Sequence, residues 1–334
     1  MKILIVSGFL GAGKTTFIKM LAQKTRREIA ILENEYGSLG VDADTLRGDP
    51  ESGNINIWEL TEGCICCSMK GDFAESVLTI ANTVDPEYLV IEPTGVGMLS
   101  SIIRNLQQIE YERIMLLAPV TIADGHSYQR YVREYADLYK DQLQAAHRII
   151  VSKMEQADAG ARQALQQALQ KWNPRAQILT EHYSVMPQEW WMELLETKYD
   201  GTSLKVTAVT EELPDTLALE NVKLNAPEQL ILLLEQLIRG AFGDIIRAKG
   251  CVRAGDAVLK FDVADGLYAV TGGETEAPGK AVFIGKDIRR QELRRILYGG
   301  ADRVKIRQNS SVPGNKRKKA LPYRTKEGWQ TPTW

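Results

Sequence analysis

The chain has 334 residues, 44% of them hydrophobic and 25% charged, which describes a folded globular protein too long for one ordinary core. No apolar run approaches the ~20 residues that cross a bilayer, and residues 1–6 lead straight into a strand, so neither a membrane span nor a leader is expected, and the expected compartment is the cytoplasm. The net charge of −2 hides a basic end: residues 301–334 hold nine Lys/Arg against Asp302 and Glu327, which leaves −9 on the body and argues against a nucleic-acid surface.

Residues 3–7 read as an apolar strand, and the loop after it opens a helix over 14–24. Strands follow at 29–32 and 55–60, the second leading into a cysteine-rich loop and a helix near 70–83. Further strands are expected at 88–91, 113–119 and 148–151, then an amphipathic helix at 161–172 and a short strand at 177–179. This alternation predicts a mainly parallel sheet covered on both faces, an α/β domain over 1–183. Residues 184–202, with Trp190 and Trp191, read as an aromatic-rich linker. From 203 to 300, strands at 204–210, 248–253, 257–263, 267–271 and 281–284 accompany helices at 225–239 and 289–297. Asn225 is the expected N-cap of the first of these helices, with Pro227 in its first turn. Together they predict a small α+β C-terminal domain. The tail at 301–334, carrying Lys316-Arg317-Lys318-Lys319 among Gly, Pro, Asn and Ser, reads as disordered.

Gly8-Phe9-Leu10-Gly11-Ala12-Gly13-Lys14-Thr15 fits the phosphate-loop pattern, and its position between strand and helix is the context that gives the pattern meaning. The backbone N–H groups of Gly8, Gly11, Ala12 and Gly13 are candidates to converge on phosphate oxygens, helped by the field of the helix N-terminus. Lys14 is expected to reach the β- and γ-phosphates, Thr15 to offer its hydroxyl to Mg²⁺, and Thr16 to lie near the α-phosphate. The strand at 88–91 ends in Glu92-Pro93-Thr94-Gly95-Val96-Gly97. Glu92 is placed like an acid that holds Mg²⁺ through water, and Gly95 belongs to a loop able to sense the γ-phosphate. Ser152-Lys153-Met154-Glu155 ends the strand at 148–151 where many GTPases carry an N/S-K-x-D segment. Lys153 would stack on the base and Glu155 would stand in for the usual Asp, which makes GTP the expected nucleotide and leaves ATP open.

Cys64-Ile65-Cys66-Cys67 puts three soft ligands in four residues, and only Cys251 stands elsewhere. Neighbouring cysteines make a strained disulfide, and thiolates suit Zn²⁺, Co²⁺, Ni²⁺, Fe²⁺ or Cu⁺. Three sulfurs from one loop leave a coordination position open, which suits transfer better than scaffolding. Glu33-Asn34-Glu35-Tyr36-Gly37 and Asp42 follow the second strand. Four loops thus leave the carboxyl ends of parallel strands, the ligand edge of such a sheet. Glu33 or Glu35 becomes a candidate fourth metal ligand or water-positioning group, and Asp42 a further candidate for Mg²⁺.

These segments, in this order and spacing, resemble the CobW-type metallochaperone GTPases, relatives of the urease and hydrogenase nickel chaperones. The resemblance covers residues 1 to about 180. Beyond it, Arg247-Ala248-Lys249-Gly250 and Val282-Phe283-Ile284-Gly285 are similar to the family's C-terminal domain through weaker motifs. It implies GTP hydrolysis, with Lys14, Glu35 and Glu92 as catalytic candidates, coupled to delivery of a transition metal held by Cys64, Cys66 and Cys67. Zn²⁺ leads on thiolate softness and Co²⁺ is second. The expected partners are a client metalloprotein or cofactor-assembly protein, with a nucleotide-dependent homodimer as a further candidate and the second domain as a client or self-association surface; no membrane or nucleic acid is expected. The family's His-rich tract has no counterpart among His126, His147 and His182. No arginine finger is identifiable, and Arg104 and Arg113 are left without a role. The competing classes are a nucleotide-dependent redox switch and a small-molecule kinase with structural cysteines.

Overall fold

In the computed structural model, residues 1–34, 55–59, 70–201, 214–273, 279–298, 323–325 and 328–330 are described. Strand β1 (Lys2–Gly8) is buried from Ile3 onward on both faces, as a central strand of a parallel sheet must be. Helix α1 (Lys14–Thr25) leads to β2 (Ile29–Asn34), followed by β3 (Ile55–Glu59), α2 (Lys70–Thr83), β4 (Tyr88–Pro93) and α3 (Leu99–Gln107). The expected single strand at 113–119 is instead divided. Met115–Leu116 (β5) pairs with the first half of β1, and Val120–Asp124 (β6) pairs with its second half. Pro119 between them has no N–H to give a ladder, and the break falls there.

Helices α4 (Tyr128–Glu134) and α5 (Ala136–Gln144) precede β7 (Arg148–Ser152), α6 (Ala159–Trp172) and β8 (Gln177–Leu179). The sheet order is β3-β2-β4-β1-β6-β7-β8 with every pairing parallel. Glu33 is level with both Glu59 and Glu92, and Asp124 is level with Ser152. The carboxyl ends that carry the sequence motifs therefore share one edge. Residues 184–202, expected as a linker, include helix α7 (Gln188–Leu194). Its Trp191 is fully buried against Phe17 and Tyr183, so apolar burial draws this stretch into the core that backs α1.

A second sheet has the order β13-β12-β11-β14-β9, with β10 beside β11. Its members are β9 (Asp215–Glu220), β10 (Lys223–Leu224), β11 (Asp244–Ala254), β12 (Ala257–Ala264), β13 (Leu267–Gly272) and β14 (Lys280–Lys286). The strand expected at 204–210 lies outside the described residues, and β9 was not foreseen. Helices α8 (Pro227–Ile238) and α9 (Arg290–Leu297) cover one face through Leu230, Leu233, Leu237, Leu293 and Leu297. Ala226 rather than Asn225 is the N-cap of α8; Asn225 N–H donates to the Gln229 side chain at 2.9 Å, and Pro227 sits at the helix start.

The other face of this sheet meets the first domain. A register shift between Ile245 and Arg247 in the β11–β14 ladder marks a bulge at Ile246. A bulge turns two successive residues to one side. Ile246 thereby joins Val282, Ile284, Phe9, Tyr131 and Tyr135 in a single buried cluster, while Arg247 lies alongside it. Near the end of the chain, Tyr323–Thr325 and Gly328–Gln330 pair as an antiparallel hairpin, and the rest of the basic tail is outside the described residues. Among the described residues no helix is long and apolar enough to cross a membrane.

Candidate functional site at the carboxyl edge of the parallel sheet

The phosphate loop turns through Gly11 and Gly13, at φ +74° and +94°, and delivers Lys14 as the first residue of α1. Lys14 is buried; its Nζ lies 3.4 Å from the Phe9 carbonyl oxygen and 3.9 Å from Glu92 Oε1. Thr15 Oγ1 is 3.0 Å from both carboxylate oxygens of Glu92. A hydroxyl and a carboxylate sharing one spot are hard oxygen donors of the kind Mg²⁺ selects, so these residues fit that ion. The loop after Glu92 lies directly on the phosphate loop, because a Cβ on Gly95 would come within 2.4 Å of Leu10 N. Only glycine permits that approach.

Two residues that no motif points to hold this loop in place. The buried Gln142 amide donates to Gly95 O at 3.0 Å and Gly97 O at 2.9 Å. One residue earlier, Asp141 accepts the Ser100 N–H at the start of α3, at 3.1 Å. Burial pushes the Asp141 carboxyl above its ordinary range, against the hydrogen bonds that favour its charge.

Ser152 Oγ donates to Ala12 O at 2.7 Å, so this hydroxyl braces the phosphate loop. Lys153, at φ +59°, reaches the fully buried Asp124 at 2.7 Å and Asp265 at 3.5 Å. Asp124 itself accepts the N–H groups of His126 and Ser127. Asp265 sits in the β12–β13 turn of the second sheet and accepts the Tyr131 hydroxyl at 2.5 Å. Burial first, and then this carboxylate, raise the Tyr131 phenol, which stays the proton donor. Glu155 is half exposed with His182 Nε2 at 3.4 Å.

A cavity of about 510 Å³ opens over the phosphate loop. Gly11, Gly13, Lys14, Thr15, Thr16, Glu92, Gly95 and Lys153 line it; Gly8, Ala12, Ser152 and Glu155 do not. The second sheet closes it with Arg247, Lys249, Asp262 and Ala264. Arg113 pairs with Asp85 at 2.9 Å on the surface, and Arg104 lies in the last turn of α3. Cys64, Cys66, Cys67, Glu35 and Asp42 lie outside the described residues. Among the described residues no three His, Cys, Asp or Glu side chains gather as a metal-ligand set, and Cys251 is buried in β11.

A phosphate loop at the carboxyl edge of a parallel sheet, with Lys14, Thr15 and Glu92 converging on one cavity, defines a P-loop nucleoside triphosphatase domain. Residues 2–180 match the CobW/HypB/UreG nucleotide-binding domain and residues 216–299 the cobalamin synthesis protein cobW C-terminal domain. The chain belongs to the CobW/HypB/UreG family. Among curated relatives, the zinc chaperone YjiA of Escherichia coli is 26% identical over 88% of this chain and 97% of its own length. The zinc chaperone CobW of a Sinorhizobium species is 30% identical over 53% of this chain, which spans 57% of that relative. The crystal structure of Zn(II)-bound YjiA GTPase from E. coli aligns over 90% of this chain and 98% of that one, at 20% identity and a TM-score of 0.45. HypB from Helicobacter pylori in complex with nickel aligns over 58% of this chain and 85% of that one, at 19% identity and a TM-score of 0.40.

Proposed function

We propose that this GTPase is a cytoplasmic metallochaperone whose nucleotide state sets its affinity for a transition-metal cargo, zinc first and cobalt second. Cys64, Cys66 and Cys67 carry the ion, with Glu35 as a fourth ligand, and a client metalloprotein or cofactor-assembly protein receives it. The observation that carries this reading is the level register of β3, β2 and β4, with Glu33 beside Glu59 and Glu92. Cys64 follows Glu59 by five residues, a reach of at most ~17 Å in extended chain. From β3 to β1 there are three strand spacings, ~14 Å. A chain of that reach is long enough to carry the sulfurs to the phosphate loop. The zinc chaperones among the relatives support the choice of cargo.

In this reading Gly8, Gly11, Ala12 and Gly13 offer backbone N–H groups to the phosphates, and Lys14 and Thr16 contact them. Thr15 and Glu92, with Asp42, would hold the Mg²⁺, whose charge offsets that of the β- and γ-phosphate oxygens. Gly95 lets its loop close on the γ-phosphate, and Lys153 with Glu155 reads the guanine base. GTP orders the loops at 33–37 and 92–97 and brings the cysteines together. Hydrolysis releases them and the cargo leaves.

The test is zinc stoichiometry, by competition with a chromogenic chelator, for wild type and Cys66→Ala/Cys67→Ala in a non-hydrolysable GTP analogue. Loss of one tight zinc per chain in the double variant is expected. Equal zinc retention by both proteins overturns the assignment of the cargo to the cysteine loop.

A further inference from the structure

The second sheet brings a cation to the phosphate loop. In β11 the odd positions Arg247 and Lys249 face the first domain, opposite Ala264 and Asp262 of β12, while Ala248 and Val252 face the helices. The bulge at Ile246 sets this register and leaves Arg247 against the loop. A Cβ placed on Gly11 would lie 2.9 Å from Arg247 Nη1. The Arg247 side chain is only 12% exposed. Its Nη2 bonds to Asp262 Oδ2 at 3.1 Å, and its buried Nε has no hydrogen-bond partner. A buried guanidinium with an unmet donor is costly unless an anion completes it. Among the described residues that line the cavity it is the one arginine.

We propose that Arg247 is a catalytic residue for GTP hydrolysis, an arginine supplied in cis by the C-terminal domain. The middle of a phosphate loop cradles the β- and γ-phosphates, and Gly11 is where the guanidinium rests. Water attacks the γ-phosphorus, the bond from that phosphorus to the β–γ bridging oxygen breaks, and the water proton ends on the released phosphate. GDP and inorganic phosphate are the products. The bridging oxygen takes up negative charge as that bond lengthens, and the planar fork of Arg247 meets it and a γ-oxygen together. Asp262 keeps the fork oriented before the triphosphate arrives, and the more highly charged phosphates then outcompete this half-exposed carboxylate. The second domain is thereby part of the hydrolytic machinery, and undocking it slows turnover.

This inference rests on GTP hydrolysis and not on the metal cargo. The experiment is single-turnover hydrolysis of Mg-GTP by wild type, Arg247→Ala and Arg247→Lys, with GDP affinity and aluminium fluoride–GDP complex formation measured on each. Arg247→Ala is expected to lose at least about 100-fold in rate, within reach of the 10³–10⁵ that such arginines supply. Its GDP affinity is expected to stay within about 3-fold of wild type, and the fluoride complex to be lost. Arg247→Lys, which keeps stem and charge and guards against misfolding of the alanine variant, is expected to recover less than about a tenth of the rate. Rates within about 3-fold of wild type in either variant overturn the proposal, as does a rate loss matched by an equal loss of GDP affinity. A wild type that does not turn over GTP removes its basis, whatever the cysteines bind.

Discussion

Thr15 and Glu92 stand 77 residues apart in the chain, yet the threonine hydroxyl lies 3.0 Å from each oxygen of the glutamate. The first turn of α1 and the end of β4 thus meet at one point, with the buried Lys14 beside them. Glu92→Gln keeps a hydrogen-bond acceptor for Thr15 and removes the charge. We expect apparent Mg²⁺ affinity in the GTP complex to fall about 10–100-fold, measured as the Mg²⁺ dependence of nucleotide release. An unchanged Mg²⁺ dependence would show that Glu92 serves only as a structural partner of Thr15.

Gln142 is the strut under the loop that follows Glu92. Replacing it with Leu strands Gly95 O and Gly97 O in a buried space, at a cost of about 1–3 kcal/mol. Urea denaturation reads that cost, and hydrogen exchange locates it, with faster exchange over residues 93–100. Unaltered exchange there would mean that the loop holds its shape without the amide.

Tyr131 and Asp265 tie the two domains together, and Lys153 joins the same carboxylate. A double-mutant cycle with Tyr131→Phe and Asp265→Asn is expected to give a coupling of about 0.5–3 kcal/mol in denaturant melts. Asn tolerates the left-handed backbone that Asp265 adopts at φ +53°, so the cycle isolates the contact. Additive single effects would exclude a direct bond between these groups.

The buried Asp141 supplies a pH signature. Its carboxyl is raised on folding, so the native state binds that proton more tightly than the unfolded chain. Its contribution is most favourable below the unfolded value of about 4 and is lost as pH rises through the native value. Asp141→Asn keeps an acceptor for Ser100 N–H and lacks the titration. The melting temperature of the variant should gain on wild type as pH rises from below the unfolded value through the raised native one. A gap that narrows over that range would contradict the account.

The phosphate loop, Glu92 and the parallel sheet were legible because each is local: a glycine spacing, a strand end, an apolar run. Ser152 falls in a recognisable motif, but its bond to Ala12 O, which braces the phosphate loop, has no local signal. Gln142, Tyr131 and Asp265 carried no local signal, because an ordinary polar residue acquires its role only when distant chain meets it. Arg247 was hidden for the same reason, although the alternation Arg247-Ala248-Lys249 does mark two cations on one face of a strand. Trp191 misled in the other direction, since a tryptophan-rich stretch beyond the last parallel strand reads as a connector until its rings find Phe17 and Tyr183.

The central claim is that triphosphate and sulfur-bound ion influence each other's binding. Its most direct test is the zinc dissociation constant of the full chain in Mg²⁺ with a non-hydrolysable GTP analogue and again with GDP. Linkage requires the analogue to tighten zinc, and zinc to tighten the analogue, by one common factor of about 5–150. Equal zinc affinity in the two nucleotide states would contradict it.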